Sequence, residues 1–209
     1  SFTITDETLE EAAYRGHKLG AGFHIHTAES QADQIQCESH HKLRVVERLR
    51  DFGILGRKSI AAHCVHVSEK EIEILKETET AVAHNPQSNA NNSVGIADLT
   101  GLSERGVLVG LGTDAMTVNM LEEVRCALWL QHLKRDPSQG FMETANALLV
   151  NNARIANRYF KGLGELKAGA AADVILVDYL PPTPMDAGNF AGHLIFGISQ
   201  AAVDTTICA

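Results

Sequence analysis

Short apolar runs of strand length, each followed by a segment with helical punctuation, constrain this chain more than any other feature. The runs are Ala21 to Thr27, SIAAHCV from Ser59 to Val65, Thr80 to His84, and GVLVGLG from Gly106 to Gly112. Between them lie helical segments. Thr5 or Asp6 can cap a first helix that Gly20 stops, and Leu43, Val46 and Leu49 recur at helical spacing from Glu38 to Phe52. Ser68 with Glu71 forms a capping box ahead of Ile72 and Leu75, and Leu121, Val124, Leu128 and Leu133 stripe Asn119 to Lys134. Further helices are expected over Phe141 to Val150 and Asn152 to Phe160. Near-continuous apolar strands alternating with helices imply a parallel sheet covered by helices, an α/β fold.

The pattern changes near Gly162. GELKAGAAADVILVDY has a glycine-rich turn feeding a strand at Asp173 to Asp178, PPTPMDAGN is a loop by its prolines, and Val203 to Cys208 reads as a last strand. The expected division is residues 1–161 as the α/β unit and residues 162–209 as a small β segment.

Charge narrows the partners. Lys and Arg number 18 against 26 Asp and Glu, a formal net charge of -8, and no basic block occurs. Nothing in that balance would steer the chain to nucleic acid or to an anionic membrane surface. No apolar run is long enough to cross a membrane, no signal peptide is visible, and Cys37, Cys64, Cys126 and Cys208 are widely spaced. Free thiols in a reducing, cytoplasmic setting are the expectation.

Candidate chemistry gathers at the C-terminal ends of the expected strands, where the loops of α/β folds build sites. In HIHTAE, His24 and His26 share one face of a strand by the period of two, and Glu29 follows. In AAHCVH, His63 ends a strand and His66 lies in the next loop; in AHNPQSN, His84 precedes Asn85, Ser88 and Asn89; in GLGTDA, Asp114 emerges after glycines. Imidazole and carboxylate are donors for borderline-soft divalent metals, which make bound water acidic. A nearby carboxylate that does not coordinate can shuttle the proton. Each residue also has a plain structural use: a strand-end histidine can simply pack, Asp114 can cap a loop, Glu29 can face solvent, and Asn85 to Asn89 can be a turn.

The ordered motifs HIHTAES, AAHCVHVSEKE, AHNPQSN, GLGTDA and GELKAGAAADVILVD resemble the metal-dependent amidohydrolase superfamily. The similar branch contains guanine and cytosine deaminases, deaminases of modified nucleosides, and triazine chlorohydrolases, with the aminohydrolases associated with selenium metabolism the most similar. The resemblance implies a (β/α)₈ metallo-hydrolase barrel of which this chain would be the C-terminal half, strands five to eight, followed by part of a β-sandwich. It implies His26 as a metal ligand and Glu29 as the proton shuttle. His63 would polarise the group under attack, and Asp114 would be both a metal ligand and a catalytic group. His24 would stand behind the ligands, and His66, His84, Asn85, Ser88 and Asn89 would contact substrate or support the site.

On this resemblance the cofactor is one divalent metal, zinc or iron. With only His26 and Asp114 as ligands, weak binding and poor turnover by the isolated chain are expected, because catalytic zinc normally has three protein ligands. No second HxH pair occurs in the 209 residues, so activity would belong to the full-length parent. The implied reaction is hydrolysis of a non-peptide C–N bond, deaminating a small nitrogenous heterocycle. The same donors would also suit a chlorohydrolase or cyclic amidohydrolase, and a non-catalytic binding or structural fragment is the reading from a different class. Expected partners are the small-molecule substrate and either a second copy or the missing N-terminal half, with no nucleic acid and no membrane.

Overall fold

The computed structural model describes residues 3–208. Ser1 and Phe2 lie outside the described residues, as does Ala209 at the other end. Helix α1 (Asp6–Leu19) starts where the Thr5 hydroxyl accepts from the Thr8 amide and stops at Gly20, which takes φ 61. Strand β1 (His24–Thr27) follows. The single helix expected from Glu38 to Phe52 is instead two, α2 (Gln31–His41) and α3 (Val45–Asp51). Lys42 adopts φ 59 and ends α2, and Glu47 accepts from the Arg44 amide to start α3. That left-handed residue is not glycine, so composition gave no warning of the break.

Strand β2 (Ile60–His63), α4 (Glu69–Glu77) and β3 (Ala81–His84) come next. The Ser68–Glu71 capping box forms as its spacing required, with the Ser68 amide donating to Glu71 at 2.8 Å. Two short helices, α5 (Pro86–Asn91) and α6 (Leu99–Glu104), precede β4 (Val109–Leu111). Helix α7 (Met120–Lys134) leads to α8 (Phe141–Asn146), which runs through a π-helical turn at Ala147–Asn151 into α9 (Asn152–Ala156).

Strands β1 to β4 form one parallel sheet in sequence order. Register places His26 beside Ala62, Ala62 beside Ala83, and Ala83 beside Gly110. One face of the sheet therefore carries a row of very small side chains next to a histidine, which leaves open volume above it. The other face contributes Ala61, Val82 and Val109 to a core shared with Ile72, Leu75, Leu99, Leu102, Val124 and Leu128. A second cluster, built on Leu9, Val45, Leu49 and Ile54, seats α1 and α3.

Strand β4 is satisfied by side chains from the wide helical turn. Asn152 donates to the Leu111 carbonyl at 3.1 Å and accepts from its amide at 2.9 Å, and Asn151 donates to the Val109 carbonyl at 2.8 Å. These amides stand in for a neighbouring strand and blunt the edge. Gly110 is required by that approach, since a Cβ there would collide with Asn152 Oδ1.

Beyond α9, β5 (Val174–Val177) pairs antiparallel with β6 (Val203–Ile207), and α10 (Phe190–Phe196) lies between them in sequence. Ile195 of α10 belongs to the main core, so this segment is tied to the α/β body by a helix as well as carrying strands. The numbering of the strands as five to eight, with the chain as only the C-terminal half of a barrel, is corrected. The four strands form their own ordered sheet, and one α/β fold, carrying both apolar clusters, runs from α1 to α10. Four parallel strands covered by helices make an α/β fold over nearly the whole chain. No helix among the described residues is long and apolar enough to cross a membrane.

Candidate metal centre

The parallel sheet directs the four loops after its strands to one end, and the expected chemistry converges there. His26 ends the row of small residues on the open face. His63 and Asp114 reach the same point by backbone turns that non-glycine residues rarely adopt, with φ 72 at His63 and φ 48 at Asp114. Ala28, Cys64 and Ala115, their chain neighbours or equivalents after β1, β2 and β4, also have positive φ. Such conformations cost of order 1–3 kcal/mol each and persist where surrounding structure over-determines them, commonly at functional sites.

One ligand atom from each of His26, His63 and Asp114 lies within 4.8 Å of the others. The His26 and His63 rings are 5.4 Å apart between centroids. His63 is fully buried; its Nδ1 is 2.9 Å from Asn89 Oδ1, while its Nε2 has no hydrogen-bond partner. That nitrogen faces Glu29 Oε2 at 3.6 Å and Asp114 Oδ2 at 3.9 Å. In the neutral ring, an acceptor at Nδ1 places the proton there and leaves a lone pair on Nε2. A buried, unpartnered imidazole nitrogen converging with a second imidazole and a carboxylate is a donor set that fits a single divalent metal of the zinc type. The sequence offered two ligands; folding supplies a third, which is the number of protein donors a catalytic zinc site uses.

The other expected residues divide. Glu29 stands beside the three donors, its Oε1 accepting from Asn92 at 3.3 Å, and Asp33 accepts from its backbone amide at 2.8 Å. Ser88 donates to Asp114 Oδ2 at 2.6 Å. His24, His26, Asn85 and Asp114 line a cleft of about 640 Å³ together with Thr3, Ile4, Ala62 and Ala83. Desolvation and the neighbouring His26 and His63 lower the pKa of His24, so it sits in the cleft wall as a neutral ring near neutral pH. A Cβ at Gly112 would collide with Asn85 Oδ1, so that glycine lets Asn85 occupy the cleft wall.

His66 and His84 do not join the donors. The His66 ring bonds the Val94 carbonyl at 2.6 Å, and its own carbonyl accepts from Gln34 and Arg44. His84 is fully buried without a hydrogen-bond partner for either ring nitrogen, and burial drives its pKa down to about 4. It is a neutral core imidazole. Sequence reasoning missed Asn92, which touches Glu29, and Asn151 and Asn152, which fix the strand that leads to Asp114. The dense run NPQSNANN was the available signal for Asn92; nothing local marks an asparagine that serves a distant strand.

An α/β fold with a three-donor metal centre and an adjacent carboxylate at the C-terminal ends of parallel strands defines the class. The chain belongs to the amidohydrolase family: the sequence profile described as "Amidohydrolase family" matches residues 1–209. Among curated relatives, the 5-methylthioadenosine/S-adenosylhomocysteine deaminase of Desulforudis audaxviator is 33% identical over 215 residues, covering 99% of this chain and 49% of the relative. The 5'-deoxyadenosine deaminase of Methanothermobacter thermautotrophicus is 32% identical over 213 residues, covering 99% and 49% respectively. Among solved structures, a zinc-bound adenosine deaminase from Xanthomonas campestris superposes with a TM-score of 0.85 at 23% identity, covering 98% of this chain and 48% of that one. The chain spans about half the length of the curated relatives it matches. The family match extends over residues 1–209, which corrects the expectation that the chain holds only a C-terminal portion of the fold. The amidohydrolase fold accounts for nearly all of it.

Proposed function

We propose that the protein is a metal-dependent hydrolase that replaces an exocyclic amine on a small nitrogenous heterocycle with oxygen, releasing ammonia. The observation that carries this reading is the convergence of His26, His63 and Asp114 within 4.8 Å, with Glu29 Oε2 3.6 Å from His63 Nε2. A divalent ion held by these donors supplies Lewis acidity and lowers the pKa of a water beside it. Glu29, partly exposed beside the three donors, accepts the proton of the attacking water and returns it to the departing nitrogen. Asp114, fixed by Ser88, and His63, fixed by Asn89, hold their donor atoms toward the same point. The cleft beside them, with His24 and Asn85 in its wall, has the size and mixed polarity of a small-molecule site.

Nucleoside substrates are favoured by the relatives, which are named as deaminases of 5-methylthioadenosine, S-adenosylhomocysteine and 5'-deoxyadenosine. The test is ammonia release from 5-methylthioadenosine and 5'-deoxyadenosine by the zinc-loaded protein, alongside Glu29→Gln. Deamination by the parent and its loss by at least 100-fold in the variant, with zinc still bound, is the expected result. Equal rates in the two proteins would refute the role of Glu29.

A further inference from the structure

We propose that α5 is a positioning element for this centre: within one helical turn, Ser88 orients the carboxylate of Asp114 and Asn89 fixes the tautomer of His63. The proposal rests on the reading of His26, His63 and Asp114 as metal donors but not on the identity of the substrate. Three contacts from this short segment reach three different strand-end loops. Ser88 Oγ donates to Asp114 Oδ2 at 2.6 Å, Asn89 Oδ1 is 2.9 Å from His63 Nδ1, and Asn92 Nδ2 donates to Glu29 Oε1 at 3.3 Å. Asn92, the residue that caps α5, is the i+4 neighbour of Ser88 and the i+3 neighbour of Asn89. Asn92 Nδ2 also lies 3.4 Å from Ser88 Oγ, which links two of the three arms.

The central arm does the most. Asn89 and His63 are both fully buried, so water does not compete for the contact between them, and Ser88 is buried at 1% exposure. With Asn89 Oδ1 as acceptor, the neutral His63 ring carries its proton on Nδ1 and presents a lone pair from Nε2 to the metal point. Turned over, the Asn89 amide would donate to Nδ1 and force the proton onto Nε2, where it would block a metal. The Asn85 amide nitrogen stands 3.5 Å from the same Nδ1, too long to compete with the 2.9 Å contact. The helix is itself anchored: Pro86 occupies its first turn, and Glu123 from α7 accepts from the Gln87 amide at 3.3 Å. A group that orients a metal-ligating histidine through its second nitrogen typically changes metal affinity 10- to 100-fold when removed.

Two conservative pairs of variants test this on the whole protein. Long-range proton–nitrogen correlation spectra of the metal-free protein read the His63 tautomer directly, and calorimetric titration with zinc reads affinity. Asn89→Asp keeps an acceptor and should retain the Nδ1-protonated ring, whereas Asn89→Leu should lose it and bind zinc 10- to 100-fold more weakly. Ser88→Thr keeps the hydroxyl and should keep zinc affinity, whereas Ser88→Ala should weaken it by a similar factor. Persistence of the Nδ1 proton in Asn89→Leu, its loss in Asn89→Asp, or unchanged zinc affinity in Ser88→Ala would overturn the proposal. Because both readouts precede turnover, they stand even if neither nucleoside is deaminated, in which case the substrate assignment alone fails.

Discussion

Glu123 stores a pH-dependent strain that can be measured without any substrate. It is fully buried in α7, its Oε2 accepts from the Gln87 amide, and its Oε1 has no hydrogen-bond partner. Burial raises its pKa from 4.5 to about 7. Below pH 4.5 the carboxyl is protonated in both folded and unfolded chains, and its favourable contribution is fully present. Between that value and about 7 the folded chain holds a proton that the unfolded chain has released, so this contribution is lost as pH rises. At 1.36 kcal/mol per pH unit the interval corresponds to about 3 kcal/mol, and water penetration would bring the observed figure nearer 2 kcal/mol. Glu123→Gln stays uncharged and keeps an oxygen for the Gln87 amide, so its own costs do not vary with pH. Urea unfolding of both proteins from pH 4.5 to 8 should show the variant gaining about 2–3 kcal/mol relative to the parent across the range. A stability difference that stays constant with pH would refute the assignment of a buried, charge-averse carboxyl at this position.

Two further substitutions probe the frame. Glu71 is fully buried and accepts from Arg44 at 2.7 Å, from the Val46 and Ser68 amides, and from Gln34, so Glu71→Ala should cost about 3–5 kcal/mol in urea unfolding by leaving those donors unpaired. Gly110→Ala should cost about 1–3 kcal/mol because its Cβ displaces Asn152 from Leu111, and a double variant with Asn152→Ala should lose less than the sum of the two. Strict additivity would show that the two residues do not act through one contact.

Much of this fold was legible because its signals are local. The Ser68–Glu71 pair needed only a spacing, α7 needed an apolar stripe, and SIAAHCV and its counterparts needed only length and composition to read as buried strands. The alternation of the two elements then implied a parallel sheet, which puts His26, His63 and Asp114 at one end. What was not legible depends on the sign of φ at particular residues. Lys42 divides a helix by turning left-handed, and His63 swings to the donor set through φ 72, neither of which a lysine or histidine in the sequence announces. The short helix α5 was hidden for a related reason: Asn, Ser and Pro favour turns in general, and only tertiary contacts with Asp114, His63 and Glu29 hold them helical. The sequence set His66 and His84 apart from the ligands only by resemblance, whereas burial and hydrogen bonding now give the physical ground for it. The four strands themselves were read correctly from their apolar runs; the placement borrowed from resemblance, as the second half of a barrel, misled most.

The central claim is that His26, His63 and Asp114 hold one divalent ion. Calorimetric titration of the metal-free protein with zinc, repeated on His26→Ala and Asp114→Ala, tests it most directly. The account predicts one zinc per chain, with affinity falling by about 100-fold or more in each variant as one of three donors is lost. Absence of stoichiometric binding, or binding unchanged by either substitution, would contradict it.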